Sequence, residues 1–175
     1  MEKIKVSKEI TLRHVRLEDA SVFFEMEQDE EARKNFMSTP GSVKKVEEDI
    51  MEEIEQYREE KPKSEKFAIE FNGEVVGSIS INQLNIPFFE HRAKIDFCLH
   101  PKFRGKGITT EVVKVIVKYA FEKYKLMRLE AWCRTFNKAT QKVLEKSGFK
   151  LEGVLRKNKC KEGEYLDDMV WAIVK

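Results

Sequence analysis

Arg104-Gly105-Lys106-Gly107 puts two cations and two glycines side by side, with a hydroxyl close behind at Thr109. Such a stretch suits an anion. Glycines let backbone N–H groups approach a ligand closely, and a helix beginning at Ile108 would add N–H groups that lack intrahelical partners. The positive end of that helix and the full charges of Arg104 and Lys106 act in the same direction, so the expected guest is a phosphate.

These residues need elements to position them. Ile95, Phe97 and Leu99 alternate with Lys94, Asp96 and Cys98, the period of a strand with one face in a core. Pro101 ends the strand, since it cannot donate to a ladder and biases His100 to extended geometry. Val112, Val113, Ile116, Val117, Ala120 and Phe121 then recur at helical spacing. The order is strand, basic glycine loop, helix. Two familiar phosphate loops do not fit. G-x-x-x-x-G-K-[ST] fails because Lys106 precedes Gly107 and His100 stands where the first glycine belongs; G-x-G-x-x-G fails at Thr110.

Upstream, residues 10–15 alternate as a first strand, Leu17 to Met26 forms a helix, and Ser38-Thr39-Pro40-Gly41 breaks the chain. From Ser42 to about Glu60, Val43, Val46, Ile50, Ile54 and Tyr57 make one apolar stripe opposite a strongly acidic face. Residues 67–71 and 75–84 form a hairpin turning at Asn72-Gly73. Downstream, residues 127–134 form a strand and Asn137 caps a short helix that Ser147-Gly148 ends. Residues 149–155 and 165–174 make a last antiparallel pair around a basic loop of Arg156, Lys157, Lys159 and Lys161. The result is an α/β mixed sheet of about seven strands with helices on both faces. Its one parallel pair flanks the long helix with right-handed connectivity.

The chain of 175 residues is expected to be one domain, residues 1–175. It has no apolar run of membrane-spanning length, and its first residues do not read as a signal peptide. A net charge of +2 gives no reason to expect nucleic acid. Cys98, Cys133 and Cys160 form no metal-ligand pair, so no metal is expected, and a reducing, cytoplasmic setting fits them. An edge strand and exposed aromatics such as Phe88 and Phe89 would permit a homodimer.

Several spaced motifs then coincide: R-G-K-G, N-K-A-T-Q-K-V-L-E-K-S-G-F, E-G-V-L-R, and D-D near the C-terminus. Together they resemble the GNAT acyltransferase superfamily and, within it, the ribosomal-protein N-acetyltransferase branch. The resemblance spans residues 10–174 in element order, with its specific motifs from Ala93 onward. It implies a GNAT fold whose central parallel strands splay to admit acetyl-CoA, and transfer of the acetyl group to a primary amine by direct attack. A protein N-terminus is the leading acceptor; polyamines or other small amines such as aminoglycosides are the alternative within the class. A non-catalytic acyl-CoA sensor is the alternative outside it.

By resemblance, the backbone of Phe97, Cys98 and Leu99 holds the pantetheine arm, and Arg104, Gly105, Lys106, Gly107, Ile108 and Thr109 hold the pyrophosphate. Asn137 contacts the arm, and Thr140 stands nearest the thioester sulfur. A backbone N–H near Cys98 is the candidate oxyanion donor. Asp96, Glu90 with His91, and Glu130 are the candidate bases, with solvent as a fourth. Two positions depart from the pattern. Thr109 stands where Gly or Ala is usual, and Leu144 stands where many members carry a tyrosine acid, which leaves Thr140 to meet the leaving thiolate.

Overall fold

The computed structural model describes residues 3–175. Its elements are β1 (Ile4–Lys5), β2 (Ile10–His14), α1 (Ala20–Gln28), α2 (Glu30–Asn35), α3 (Val43–Gln56), β3 (Ser64–Phe71), β4 (Glu74–Asn82), β5 (Arg92–Leu99), α4 (Ile108–Tyr124), β6 (Arg128–Arg134), α5 (Lys138–Lys146), β7 (Lys150–Lys161) and β8 (Glu164–Val174), with short 3-10 turns before α1 and α4. All the strands join one mixed sheet in the order β1-β2-β3-β4-β5-β6-β8-β7. It has eight strands rather than seven, because two residues of β1 pair with Thr11 and Leu12. A second correction concerns the basic stretch Arg156–Lys161. It is not the loop between the last strands but the far half of β7, and the chain turns at Glu162-Gly163.

Two cores sandwich the sheet. One packs Val112, Ile116 and Leu144 of α4 and α5 against Ile79, Ile95 and Leu129. The other packs Phe23 and Met26 of α1 and Val46 and Ile50 of α3 against Ala68. Strand alternation then sorts the central side chains. Ala93, Ile95 and Leu99 belong to the α4/α5 core and Cys98 packs on the α1/α3 core, so Lys94 and Asp96 share the α1/α3 face. On β6, Leu129, Ala131 and Cys133 belong to the α4/α5 core, which puts Glu130, Trp132 and Arg134 on the opposite face.

The parallel pair is short. β5 and β6 are in register only at Arg92↔Arg128, Ala93↔Leu129 and Lys94↔Glu130. Beyond that point β5 stays with β4 as far as Leu99, and β6 stays with β8 as far as Arg134. The two central strands therefore part. Gly77 of β4 allows it, because a Cβ there would lie 2.5 Å from the Cys98 carbonyl oxygen. Without a side chain at this point, β4 can hold β5 close as it swings away from β6.

Far from that gap, the buried Glu65 carboxylate ties β3 to the end of α4. It accepts from Tyr119 at 2.9 Å, Lys123 at 2.9 Å and Tyr124 at 2.5 Å, and lies 2.8 Å from His14 Nε2. Burial alone would raise its pKa, but His14, Tyr124 and Lys123 more than offset this and bring it from 4.5 to about 2. A carboxylate depressed in the folded state stabilises the protein above its unfolded pKa, and that stability is lost as pH falls through the folded value. The contribution is about 3 kcal/mol at neutral pH. Glu65→Gln is therefore expected to be less stable than wild type at pH 7, with the difference shrinking below about pH 4.5. Denaturant titrations at neutral and acid pH would show it, and a difference that stays constant with pH would refute the assignment.

Candidate active site

Where β5 and β6 part, a cavity of about 470 Å³ passes through the sheet. On the α4/α5 side its wall includes Gly105, Thr109, Asn137, Thr140 and Val143; on the other, Lys94, Asp96, Trp132, Arg134 and Asp168. A third wall comes from α2 and the residues after it, including Asn35 and Met37.

The backbone of β5 supplies the first polar groups. His100 N–H donates to the Val76 carbonyl of β4 at 2.8 Å, and backbone groups alternate in direction along a strand. The N–H and C=O groups of Phe97 and Leu99 therefore turn toward the gap, and those of Cys98 toward β4. The Cys98 carbonyl beside Gly77 agrees with this. The expected oxyanion donor near Cys98 shifts accordingly to Phe97 or Leu99. An extended ligand lying in the gap would meet Phe97 and Leu99 as a neighbouring strand would. The Cys98 thiol, pushed up to about 12 by burial, is no nucleophile at neutral pH.

The glycine loop follows. Gly105 and Gly107 have φ of 78° and 82°, left-handed values that favour glycine, and Gly107 is the N-cap of α4. Unpaired N–H groups of the first α4 turn thus open next to the cavity. Arg104 is held from three sides: Nε donates to the Leu99 carbonyl at 3.2 Å, and Nη1 lies 2.8 Å from both Asp29 and Glu31. Arg104, Gly105 and Thr109 touch the cavity, whereas Lys106, Gly107 and Ile108 form no part of its wall. Lys106 Nζ sits 5.0 Å from the centre of the Phe103 ring, and Ile108 is buried in the core.

Asn137 has two partners. Its Oδ1 accepts from Thr140 N–H at 3.0 Å as the N-cap of α5, and its Nδ2 donates to Asn35 Oδ1 at 2.8 Å, linking α5 to α2. Thr140 lies on the cavity wall. Leu144, one turn further along, is fully buried in the core.

The four candidate proton acceptors separate. Asp96 is exposed, lines the cavity and accepts from Asn82 Nδ2 at 2.8 Å. Glu90 and His91 are exposed in the loop before β5 and line no part of the cavity. Glu130 is buried; burial would raise its pKa, but hydrogen bonds from Arg128 at 2.7 Å and Trp132 Nε1 at 3.0 Å outweigh this and lower it. Its oxygens are occupied.

Three wall residues, Lys94, Trp132 and Arg134, have no site role in the sequence reading, and Asp168 enters it only within the D-D motif. Lys94 Nζ lies 3.4 Å over the Trp132 ring. Arg134 and Asp168, each almost fully buried, pair at 2.6 Å, and Asn158 donates to the second Asp168 oxygen at 2.7 Å. The alternation of Trp132 and Arg134 with Ala131 and Cys133 was the available signal for one shared face; the register bringing Asp168 opposite Arg134 had none. Among the described residues no group of three or more His, Cys, Asp or Glu side chains could hold a metal ion, and no helix is long and apolar enough to cross a membrane.

A family model described as an acetyltransferase (GNAT) domain matches residues 9–150. A probable N-acetyltransferase of Bacillus subtilis, YjcK, is 36% identical over 125 residues, covering 69% of this chain and 68% of the relative. The crystal structure of a probable acetyltransferase superposes with a TM-score of 0.87 at 25% identity, covering 99% of this chain and 97% of the other. RimL, a ribosomal L7/L12 alpha-N-protein acetyltransferase in complex with coenzyme A, superposes with a TM-score of 0.86 at 20% identity, covering 99% and 98%.

Proposed function

This chain belongs to the GNAT family of acetyltransferases, and on that premise we propose that it transfers the acetyl group of acetyl-CoA to the terminal amine of a protein. The observation that carries the reading is the through-sheet cavity. It offers backbone and helix-end donors on one face of the sheet and Asp96 on the other, with the gap between β5 and β6 joining them. The lysines on the acceptor face, Lys94 and Lys159, disfavour a polyamine, and the fold shared with RimL agrees with a protein terminus.

Acetyl-CoA, when bound, supplies a thioester open to nucleophilic attack. The N–H groups of the Gly105–Thr109 loop and the first α4 turn, with Arg104, would hold its pyrophosphate. Phe97 and Leu99 would pair with the pantetheine arm, and Asn137 would contact it. Of those two residues of β5, the N–H nearest the carbonyl would stabilise the developing oxyanion. Asp96 would take the proton of the attacking amine, directly or through a water. The Thr140 hydroxyl is too weak an acid to protonate a thiolate outright; its part would be to donate a hydrogen bond as the thiolate leaves. The three free cysteines suit a cytoplasmic setting, and Phe88, 89% exposed in the loop before β5, would be an apolar contact in a homodimer.

Thiol release from acetyl-CoA across N-terminal peptides, polyamines and aminoglycosides tests the reading, with acetyl-CoA binding measured in parallel. Turnover on peptides is expected. Binding without turnover on any amine would favour a sensor, and absence of binding would refute the phosphate loop. Asp96→Asn is expected to slow turnover by about 10²-fold, most at low pH where the amine is protonated. An unchanged pH–rate profile would remove Asp96 as the base.

A further inference from the structure

Resting on the protein-terminus reading, we infer that the acceptor is a polypeptide whose terminal amine is followed closely by acidic residues. The charges lining the cavity carry this. Arg104 is matched by Asp29 and Glu31, and Arg134 by Asp168. What remains is Lys94 and Lys159 against Asp96. Lys94 makes no ion pair with any described residue; its ammonium is half-buried and rests on the Trp132 ring. Lys159 has only a long contact, 3.8 Å, to an Asp168 oxygen that Asn158 already uses. The one carboxylate left over, Asp96, is the group assigned to receive the proton of the incoming amine. The cations left over therefore face whatever follows that amine.

The same sign continues outside. Between Leu155 and Lys159 the β7–β8 ladder is broken, and the intervening residues bulge around Asp167 and Asp168. Lys157 takes φ of 51° and its N–H donates to Asp167 Oδ1 at 2.7 Å, while Asn158 turns in to Asp168. This bulge leaves the Arg156 side chain exposed beside Lys159 at the cavity wall. Lys157 turns the other way: its Nζ lies 5.4 Å from the centre of the Tyr165 ring, and alternation along β8 puts Tyr165 on the face opposite Asp168. Lys94 and Lys159, with Arg156 beyond them, are thus the cations an entering acceptor meets. An extended acidic segment entering amine-first would lie against them, whereas a polycation would be repelled by them.

The test compares three peptides that share an N-terminal Ser and carry Asp/Glu, Gln or Arg at the next four positions; Arg keeps the terminus as the sole amine. We expect kcat/KM on the acidic peptide to exceed that on the Gln peptide by about tenfold, with the Arg peptide lower still and the spread shrinking as salt is added. Reversing this charge with R156E and K159E should cost the acidic peptide about tenfold and raise the Arg peptide, with KM for acetyl-CoA unchanged. Equal rates on all three peptides, or a variant that shifts all three alike, would overturn this inference and leave the protein-terminus reading intact. Turnover of spermidine with none on any peptide would overturn the protein-terminus reading itself.

Discussion

Gly107→Val is expected to lower kcat/KM for acetyl-CoA by about a hundredfold or more while the protein still folds. Gly107 holds φ of 82° at the N-cap of α4. A β-branched residue in that region costs about 1–3 kcal/mol, and at this chain length that lowers the thermal midpoint by several degrees rather than abolishing the fold. A Cβ built there meets nothing within 4 Å, so overpacking is not the mechanism. The loss comes from function. To relieve its φ the loop must turn its N–H groups away, and each charge-assisted hydrogen bond to a phosphate is worth about 1.5–3 kcal/mol. Two such bonds account for the hundredfold. Gly163→Val is the control, because Gly163 also has a left-handed φ, 85°, but sits in the β7–β8 turn. It should lower the midpoint similarly and leave KM for acetyl-CoA alone. Calorimetry showing unchanged acetyl-CoA affinity in Gly107→Val would mean that the pyrophosphate does not lie on this loop.

Local signals predicted most of this architecture, and the failures share a cause. The β5 alternation, Pro101 and the glycine loop each act within a few residues, and so do Asn72-Gly73, which turns with φ of 51° and 84°, and the Asn137 cap. Each is decided by backbone sterics or one hydrogen bond, so each is readable from the residues themselves. β1, α2 and the far half of β7 are not decided locally. α2 has no apolar stripe; it exists because Asp29 caps it and because Arg104, Asn137 and Lys161 hold it from other parts of the chain. The second half of β7 is basic and lacks alternation because it is an edge strand with most of its side chains in water. The site divides along the same line. The loop residues at the cavity were identifiable from the strand, glycine loop and helix order, whereas Asp96 and Thr140 came only through the resemblance of the motifs around them. Lys94 over Trp132 and Arg134 against Asp168 depend on strand facing and on β6–β8 register, which are tertiary facts. Glu90 went the other way. It precedes β5 by two residues in sequence, but the loop carries it off the cavity.

Arg13→Met should cost about 3–5 kcal/mol of stability, the largest single loss expected outside the hydrophobic core. Arg13 is only 5% exposed and serves two carboxylates, reaching Asp19 with Nη1 and Nη2 at 2.8 and 2.7 Å and Glu70 with Nε at 2.7 Å. Removing it leaves Asp19, 2% exposed, as a buried charge with no cation, while Glu70 keeps a partner in Lys3 at 2.9 Å. The cost is therefore concentrated at Asp19, and a second substitution should recover part of it. Asp19→Asn added to Arg13→Met discharges that carboxyl but keeps an oxygen to accept the Arg16 N–H, which Asp19 now takes at 2.8 Å. Recovery of about 1–2 kcal/mol is expected in the double variant, whereas Asp19→Asn alone should destabilise wild type by weakening a paired carboxylate. That reversal of sign between backgrounds separates an uncompensated charge from a mere packing defect. Urea titrations of the four proteins measure it directly, and additive losses would show that Arg13 matters for its bulk and not for its charge.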